Sequence, residues 1–367
     1  MTDLFDNILA QQRAIQILRN ALAHERLAGS YLFVGPTGIG KTTTAKQFAA
    51  AICGIDNPTS PDMRMILEGK HPDVRMVQPS GRSHTIHVGQ LWPRGANTDH
   101  PAAHAMLRDL HFEPVRAQKR VFIIREAEGL SRGSENAANS ILKSLEEPPA
   151  YAHFILTASS LSSLLPTIIS RCQVVPFSLL PPELVEKALV EQFGVGAGQA
   201  RFLAGYTEGK LGEAVQLARS GDLLAARDEI LDVAERLIHC HTIEAFKCSD
   251  RFRKIAPRLK AGDGEQGDDG GAREPLKRAL EILATFYRDL LAVRSGCGDE
   301  RLLNSDRHEA LIAGAKRFER EELRKAVERI TGARLAVERN AYAQTVIDVL
   351  FLELVAHTEK PKAGAGR

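Results

Sequence analysis

The sequence predicts an α/β domain built on a mostly parallel sheet, followed by regions that are helical throughout. Three observations predict it. Short apolar runs alternate with helical patterns over the first ~180 residues, which is how strands joined by crossover helices read. One of those runs ends in a glycine-rich phosphate loop. From Pro181 onward no strand pattern intervenes.

The elements follow in order. Ile8–His24 spaces Ile8, Ile15, Leu18 and Leu22 near helical period and is expected as an amphipathic helix. Ser30–Val34 (SYLFV), stopped by Gly35, has the signature of a buried strand, and Thr42–Ile52, free of proline and glycine, that of a helix. Val74–Val77, Val121–Ile124 and His153–Ala158 are the next expected strands, each bounded by polar or turn residues. Glu183–Phe193, Gly198–Tyr206 and Gly212–Ser220 are expected as three short helices, and the pattern stays helical to about His357. Gly262–Glu274 carries five glycines and five acidic residues, too polar to bury itself, and is expected as a flexible insertion. The expected division is an α/β domain over 1–178, a small helical domain over 179–222, a helical domain over 223–358 interrupted at 262–274, and a disordered tail over 359–367.

Composition excludes several function classes. The 48 lysines and arginines against 46 acidic residues leave a net charge of +2, so any phosphate contact must come from a local patch rather than a global basic excess. Five cysteines without regular spacing argue against a disulfide framework and for a reducing compartment. Met1–Ala10 carries Asp3 and Asp6 and no apolar core of the kind a secretory leader needs, and no apolar run approaches the ~20 residues of a membrane span. The expected location is the cytoplasm, with no membrane association.

Gly35–Thr42 matches G-x-x-x-x-G-K-[ST]. Glycines let backbone N–H groups converge on phosphate oxygens, and the following helix start adds its dipole. Lys41 is placed to reach β- and γ-phosphates, and the Thr42 hydroxyl to ligate Mg²⁺. The candidate nucleotide-binding set is Gly35, Pro36, Thr37, Gly38, Ile39, Gly40, Lys41, Thr42 and Thr43, with ATP or ADP as the ligand and Mg²⁺ as its candidate companion. Hydrolysis asks for a second strand ending in Asp-Glu. Val121–Ile124 ends instead in Arg125-Glu126, leaving Glu126 in a degenerate second motif. A guanidinium facing a divalent cation at ~4–5 Å is repulsive by several kcal/mol at an effective dielectric near 20. Arg125 either contacts phosphate, turns away, or simply ends the strand; in each case hydrolysis is expected to be weak or absent.

Leu145-Glu-Glu-Pro-Pro149 after Asn136–Lys143, the run Leu165-Pro-Thr-Ile-Ile-Ser-Arg-Cys172 and the opening Phe5–Gln11 resemble the corresponding motifs of bacterial clamp-loader subunits in the AAA+ family. Phe286–Leu290 and Arg339-Asn-Ala341 resemble its helical collar. The resemblance implies a nucleotide-binding AAA+ domain, a helical lid and an oligomerising collar. It also implies assembly with gamma/tau motor subunits and a delta subunit into a heteropentamer acting on a sliding clamp and primer–template DNA. It makes Arg171 an arginine finger reaching a neighbour's γ-phosphate, with Ser170 and Cys172 as positioning residues, and places Thr157 where such proteins sense the γ-phosphate. A surface arginine capping the next strand and a satisfied strand-end threonine are the plainer readings of Arg171 and Thr157. The departures from the motor subunits are Arg125, the stretch Gly209–Ala214, which offers only Lys210 where they carry a sensing arginine, and the absence of cysteine from Gly54–Lys70, where most members hold zinc. The resemblance therefore implies a stator that binds nucleotide, hydrolyses it poorly and holds no zinc; an active gamma/tau-type motor subunit is the alternative. Ser131, Arg132 and Ser134 are candidates for DNA phosphate contact, and His239-Cys-His241 with Cys248 matches no zinc module.

Overall fold

In a computed structural model, residues 4–5, 8–9, 11–24, 26–81, 83–92, 106–133, 135–259 and 273–356 are described. The expected insertion, except Arg273 and Glu274, and the expected tail lie outside them, as do Asp6, Asn7 and Ala10 of the opening motif. The chain separates into two compact units, one running to Leu184 and including Gly209–Gly212, the other comprising Val185–Glu208 and the residues from Glu213 onward.

The first unit carries five parallel strands, β1 (Ser30–Val34), β2 (Val74–Val77), β3 (Arg120–Ile124), β4 (Ala152–Ala158) and β5 (Gln173–Pro176), in the order β2-β3-β4-β1-β5. The central strands β3 and β4 are buried along their full length, as continuous apolar runs in a doubly covered parallel sheet should be. The edge strand β5 is half polar and ends in Pro176, which a central strand would not tolerate.

Alternation distributes each strand over two cores. Tyr31, Phe33, Ile123 and Ile155 face one core with Leu18 and Phe48, while Leu32, Phe122, Ile124, Phe154 and Leu156 face the other with Leu130, Ile141 and Ile168. Phe122 and Phe154 are direct partners across β3 and β4, and their rings stack with centroids 5.2 Å apart. Among the described residues the helices of this layer are α1 (Gln12–Ala23), α2 (Lys41–Ile52), α3 (Pro61–Glu68), α4 (Val88–Leu91), α5 (Gly129–Gly133), α6 (Glu135–Glu146) and α7 (Pro166–Ile169).

Helix α1 begins four residues later than the apolar spacing predicts. Gln11 departs from helical geometry because its side-chain amide donates to the Ser178 carbonyl at 2.8 Å and accepts the Ser178 N–H at 3.2 Å, tying the chain to the segment after β5.

An ion pair supports the β2–β3 edge. Asp73, wholly buried, accepts backbone N–H groups of Val115, Arg116 and Ala117 and the guanidinium of Arg120, itself only 2% exposed. Burial pushes the Asp73 carboxyl up, but the three amides and Arg120 outweigh it and hold the group below the usual carboxylate range.

Helix α8 (Pro182–Phe193) leads into the second unit, which contains α9 (Ala197–Tyr206), α10 (Leu211–Ser220) from Glu213 on, α11 (Asp222–Leu237), α12 (Thr242–Ile255), α13 (Arg273–Arg294), α14 (His308–Ala315), α15 (Arg320–Glu338) and α16 (Ala343–Ala356). Its longest helix, α13, packs against α11, α14 and α15 through residues such as Leu280, Leu283, Phe286 and Leu290, all without solvent exposure. Among the described residues no helix is long and apolar enough to cross a membrane.

Candidate functional site

The phosphate loop leaves the carboxyl end of β1. Gly38 and Gly40 sit at φ +77° and +96°, and a Cβ on Gly35 would lie 2.3 Å from the Phe177 carbonyl oxygen. Glycine is required at all three positions, by backbone conformation or by close approach. Ile39 is buried in the first core and pins the loop from below, while Thr37 and Gly38 are exposed. On one side the loop is closed by backbone: the Gly212 N–H donates to the Gly38 carbonyl at 2.7 Å, and any side chain at 212 would begin 2.8 Å from that oxygen.

Lys41 opens α2 and is 8% exposed. Its ammonium donates to the loop carbonyls of Gly35 at 2.5 Å and Pro36 at 2.6 Å. Burial pushes the ammonium down to about 8, against the opposing pull of Glu128 and then Glu126. This predicts a pH dependence. A phosphate ligand favours protonated Lys41, so affinity should fall as pH rises above about 8, by at most about tenfold per unit. Titrating ADP at about pH 7 and about pH 9 checks it; equal affinities would remove Lys41 from phosphate binding. Thr42, half-buried, and Thr43, exposed, follow on the first turn, and Thr44 closes it with a bond from its hydroxyl to the Gly40 carbonyl at 3.0 Å.

The second motif lies at the end of β3, two strands from β1. Arg125 is directed to the β2 side, its guanidinium donating to Gln78 Oε1 at 2.5 Å. Glu126 adopts φ +47°, an uncommon conformation for a residue with a Cβ. What holds it there is β4: the Glu126 N–H donates to Thr157 Oγ1 at 3.1 Å and the Ala127 N–H to the Thr157 carbonyl at 2.8 Å. Thr157 thus has a structural partner in the second motif, and its hydroxyl proton is directed elsewhere than to that bond. Sequence reasoning passed over Glu128. This residue is 6% exposed and accepts the N–H and hydroxyl of Ser159 on Oε1, at 3.2 and 2.7 Å. Its signal in the sequence was only a second acid two residues beyond the first.

Lys41, Glu126 and Thr157 therefore meet at the carboxyl edge of the sheet, where ligands of open α/β sheets bind. Arg171 belongs to another cluster. It follows α7, is half-buried, and pairs with Glu146 of the Leu145–Pro149 motif, its Nε and Nη2 lying 2.9 and 2.8 Å from Glu146 Oε2. Its Nη1 donates to the Thr167 carbonyl at 3.0 Å. The two motifs quoted from the sequence are thus joined by one ion pair. Burial raises the Cys172 thiol to about 12, which leaves it unreactive. The rest of the Leu145–Pro149 motif is structural: the Leu145 carbonyl accepts the Ser30 hydroxyl at 2.9 Å at the start of β1.

Of the DNA-contact candidates, Ser131 has a buried hydroxyl without a side-chain partner, and the Arg132 side chain and Ser134 lie outside the described residues. Among the described residues no group of three or more His, Cys, Asp or Glu is arranged to hold a metal ion.

A family model described as "DNA polymerase III, delta subunit" matches residues 10–181. The DNA polymerase III subunit delta' of Bacillus subtilis is 28% identical over 349 residues, spanning 94% of this chain and 96% of that one. The chain is thus similar, along nearly its whole length, to a DNA polymerase III clamp-loader subunit. The DNA polymerase III subunit tau of B. subtilis is 26% identical over 320 residues; the match spans 82% of this chain but only 52% of that one. Among solved structures, a gamma subunit-related protein of Thermotoga maritima superposes with a TM-score of 0.41 at 17% identity, over 95% of this chain and all of that one.

Proposed function

We propose that this chain is the delta-prime-type subunit of a DNA polymerase III clamp loader. It acts as a stator that helps load the sliding clamp on primed DNA in the cytoplasm. It binds ATP or ADP at the loop, hydrolyses it poorly, and lends Arg171 to a neighbour's nucleotide. The near full-length similarity to a delta' subunit, beside about half-length coverage of a tau subunit, supports this choice within the family. Residues 1–178 would form the nucleotide domain, 179–222 a lid and 223–358 a collar that joins it to gamma/tau and delta subunits around primer–template DNA.

One observation carries the reading: the position that should offer an aspartate holds Arg125, bonded to Gln78. The residues nevertheless fit a nucleotide. The loop glycines adopt the left-handed conformations of a phosphate loop, Lys41 is the cation, and Thr42 stands half-buried at the helix start as the hydroxyl for Mg²⁺. The metal would supply charge neutralisation between β- and γ-phosphates. Without a carboxylate at 125 and with Glu126 held by β4, the chain's own groups favour binding over activating water.

The test is turnover by the purified chain. Nucleotide should bind, Lys41→Ala should weaken binding by about a hundredfold or more, and ATP hydrolysis should stay near background in both. Fast Lys41-dependent hydrolysis would instead establish a gamma/tau-type motor subunit.

A further inference from the structure

Glu128 has no role in the reading above, yet it is the best-placed buried carboxylate of the turn after β3. One oxygen is fully engaged with Ser159, while Oε2 is buried with no hydrogen-bond partner. A bare carboxylate oxygen in the interior costs several times what a neutral group does, so a partner is expected there. Lys41 makes no hydrogen bond to it; two of the three ammonium donors go to the Gly35 and Pro36 carbonyls.

The surroundings place this oxygen by the phosphate loop. Ser159 directly follows Ala158, the last residue of β4, which pairs with Val34 of β1. The Ala158 carbonyl accepts the N–H of Gly35, first residue of the loop, at 3.2 Å. The carboxylate clamped by Ser159 therefore stands where β4 meets the loop. Glu128 is also the acid that acts most strongly on Lys41, ahead of Glu126. The turn that presents it is held by two bonds to Thr157.

We propose that Glu128 Oε2 supplies the carboxylate for the hydration shell of a divalent cation bound with the nucleotide, replacing the acid absent at Arg125. The inference rests on the nucleotide reading and deepens it. A cation held from Glu128 would retain the nucleotide, while the position from which an aspartate would draw it toward the reacting phosphate stays empty of negative charge.

Glu128→Gln separates this from a purely structural staple. The amide keeps an oxygen for the Ser159 N–H and hydroxyl but removes the charge. Fluorescent ADP is titrated into the full chain with Mg²⁺ and, separately, with EDTA. Wild type should bind more tightly with Mg²⁺. In Glu128→Gln the affinity in EDTA should not fall, since a negative charge beside the phosphates is removed, while the gain from Mg²⁺ should shrink by about ten- to a hundredfold, the usual effect of removing a group that orders a metal's outer shell. A full Mg²⁺ gain in the variant overturns the proposal, as does a wild type that binds without any Mg²⁺ gain. Equal weakening in EDTA and Mg²⁺ also overturns it, because that is the mark of a damaged loop. Absence of ADP binding by wild type under both conditions is the separate failure of the nucleotide reading, and the proposal falls with it.

Discussion

Replacing Arg171 with alanine should slow the neighbouring ATP site of a reconstituted clamp loader by about a thousandfold or more, the usual worth of an arginine supplied in trans to a phosphoryl-transfer transition state. The observable is DNA-stimulated ATPase of the assembly with gamma/tau and delta subunits, which should lose the share of turnover contributed by that site. The structure separates this effect from a folding defect. Arg171 and Glu146 have side chains 29% and 56% exposed, so their pair is screened by solvent and contributes at most about 1 kcal/mol. Thermal stability of the isolated Arg171→Ala chain should therefore be nearly that of wild type while assembly turnover falls. Unchanged ATPase would leave Arg171 as a surface arginine tying two motifs together. The same geometry implies that Arg171 must leave Glu146 to reach a phosphate, an exchange made easy by the weakness of the exposed pair.

The largest expected effect on stability lies in the second unit. Arg227 of α11 has no solvent exposure. Its guanidinium pairs with both oxygens of Asp306 at 2.6 and 2.8 Å, donates to Asn304 at 2.9 Å and to Asp228 at 3.0 Å, and lies 4.5 Å from the centroid of the Phe202 ring. Asn304 in turn donates to Asp289 at 2.8 Å and Thr285 at 3.1 Å on α13. Removing one member of a buried pair leaves the others desolvated and unmatched, at a cost of about 3–5 kcal/mol. Arg227→Ala should lower the melting temperature of that unit by roughly 10 °C. Acid titration provides a second readout. Burial pushes the Asp306 carboxyl up, but Arg227 overcomes this and holds it below the usual carboxylate range. A depressed carboxyl stabilises the fold above its unfolded pKa, and that contribution is lost as pH falls through the lower folded value. Below about pH 4 the wild type should therefore lose stability that Arg227→Ala has already lost, and the gap between them should narrow. A constant gap across that range would show that Arg227 acts by packing alone.

The phosphate loop was legible in the sequence because its chemistry is local. Glycines at 35, 38 and 40, the lysine and the threonine fall within eight residues, and the backbone geometry they need is their own. Four of the strands were legible for a similar reason, since a strand covered on both faces is mostly apolar, and β3 and β4 are so apart from Arg120, His153 and Thr157; the short edge strand β5 was not. The start of α1 was not, because Gln11 answers to Ser178, far away in the chain. Nor was the role of Glu128, one acid among many until β4 sets Ser159 against one of its oxygens and leaves the other bare.

By itself the sequence determined the parallel α/β layer, the helical remainder, the nucleotide loop and the departure at Arg125, all set by residue type and short-range spacing. Only the tertiary structure decided which charged groups are buried and with whom. Arg227 reads in sequence as one more polar position on a helix, and Arg125 as a charge that either contacts phosphate, turns away or ends its strand. Burial and pairing are properties of surfaces brought together from distant parts of the chain: Asp306 lies 79 residues from Arg227 and Gln78 lies 47 from Arg125. In the low-dielectric interior those meetings set the energy of a charge far more than its neighbours in sequence do.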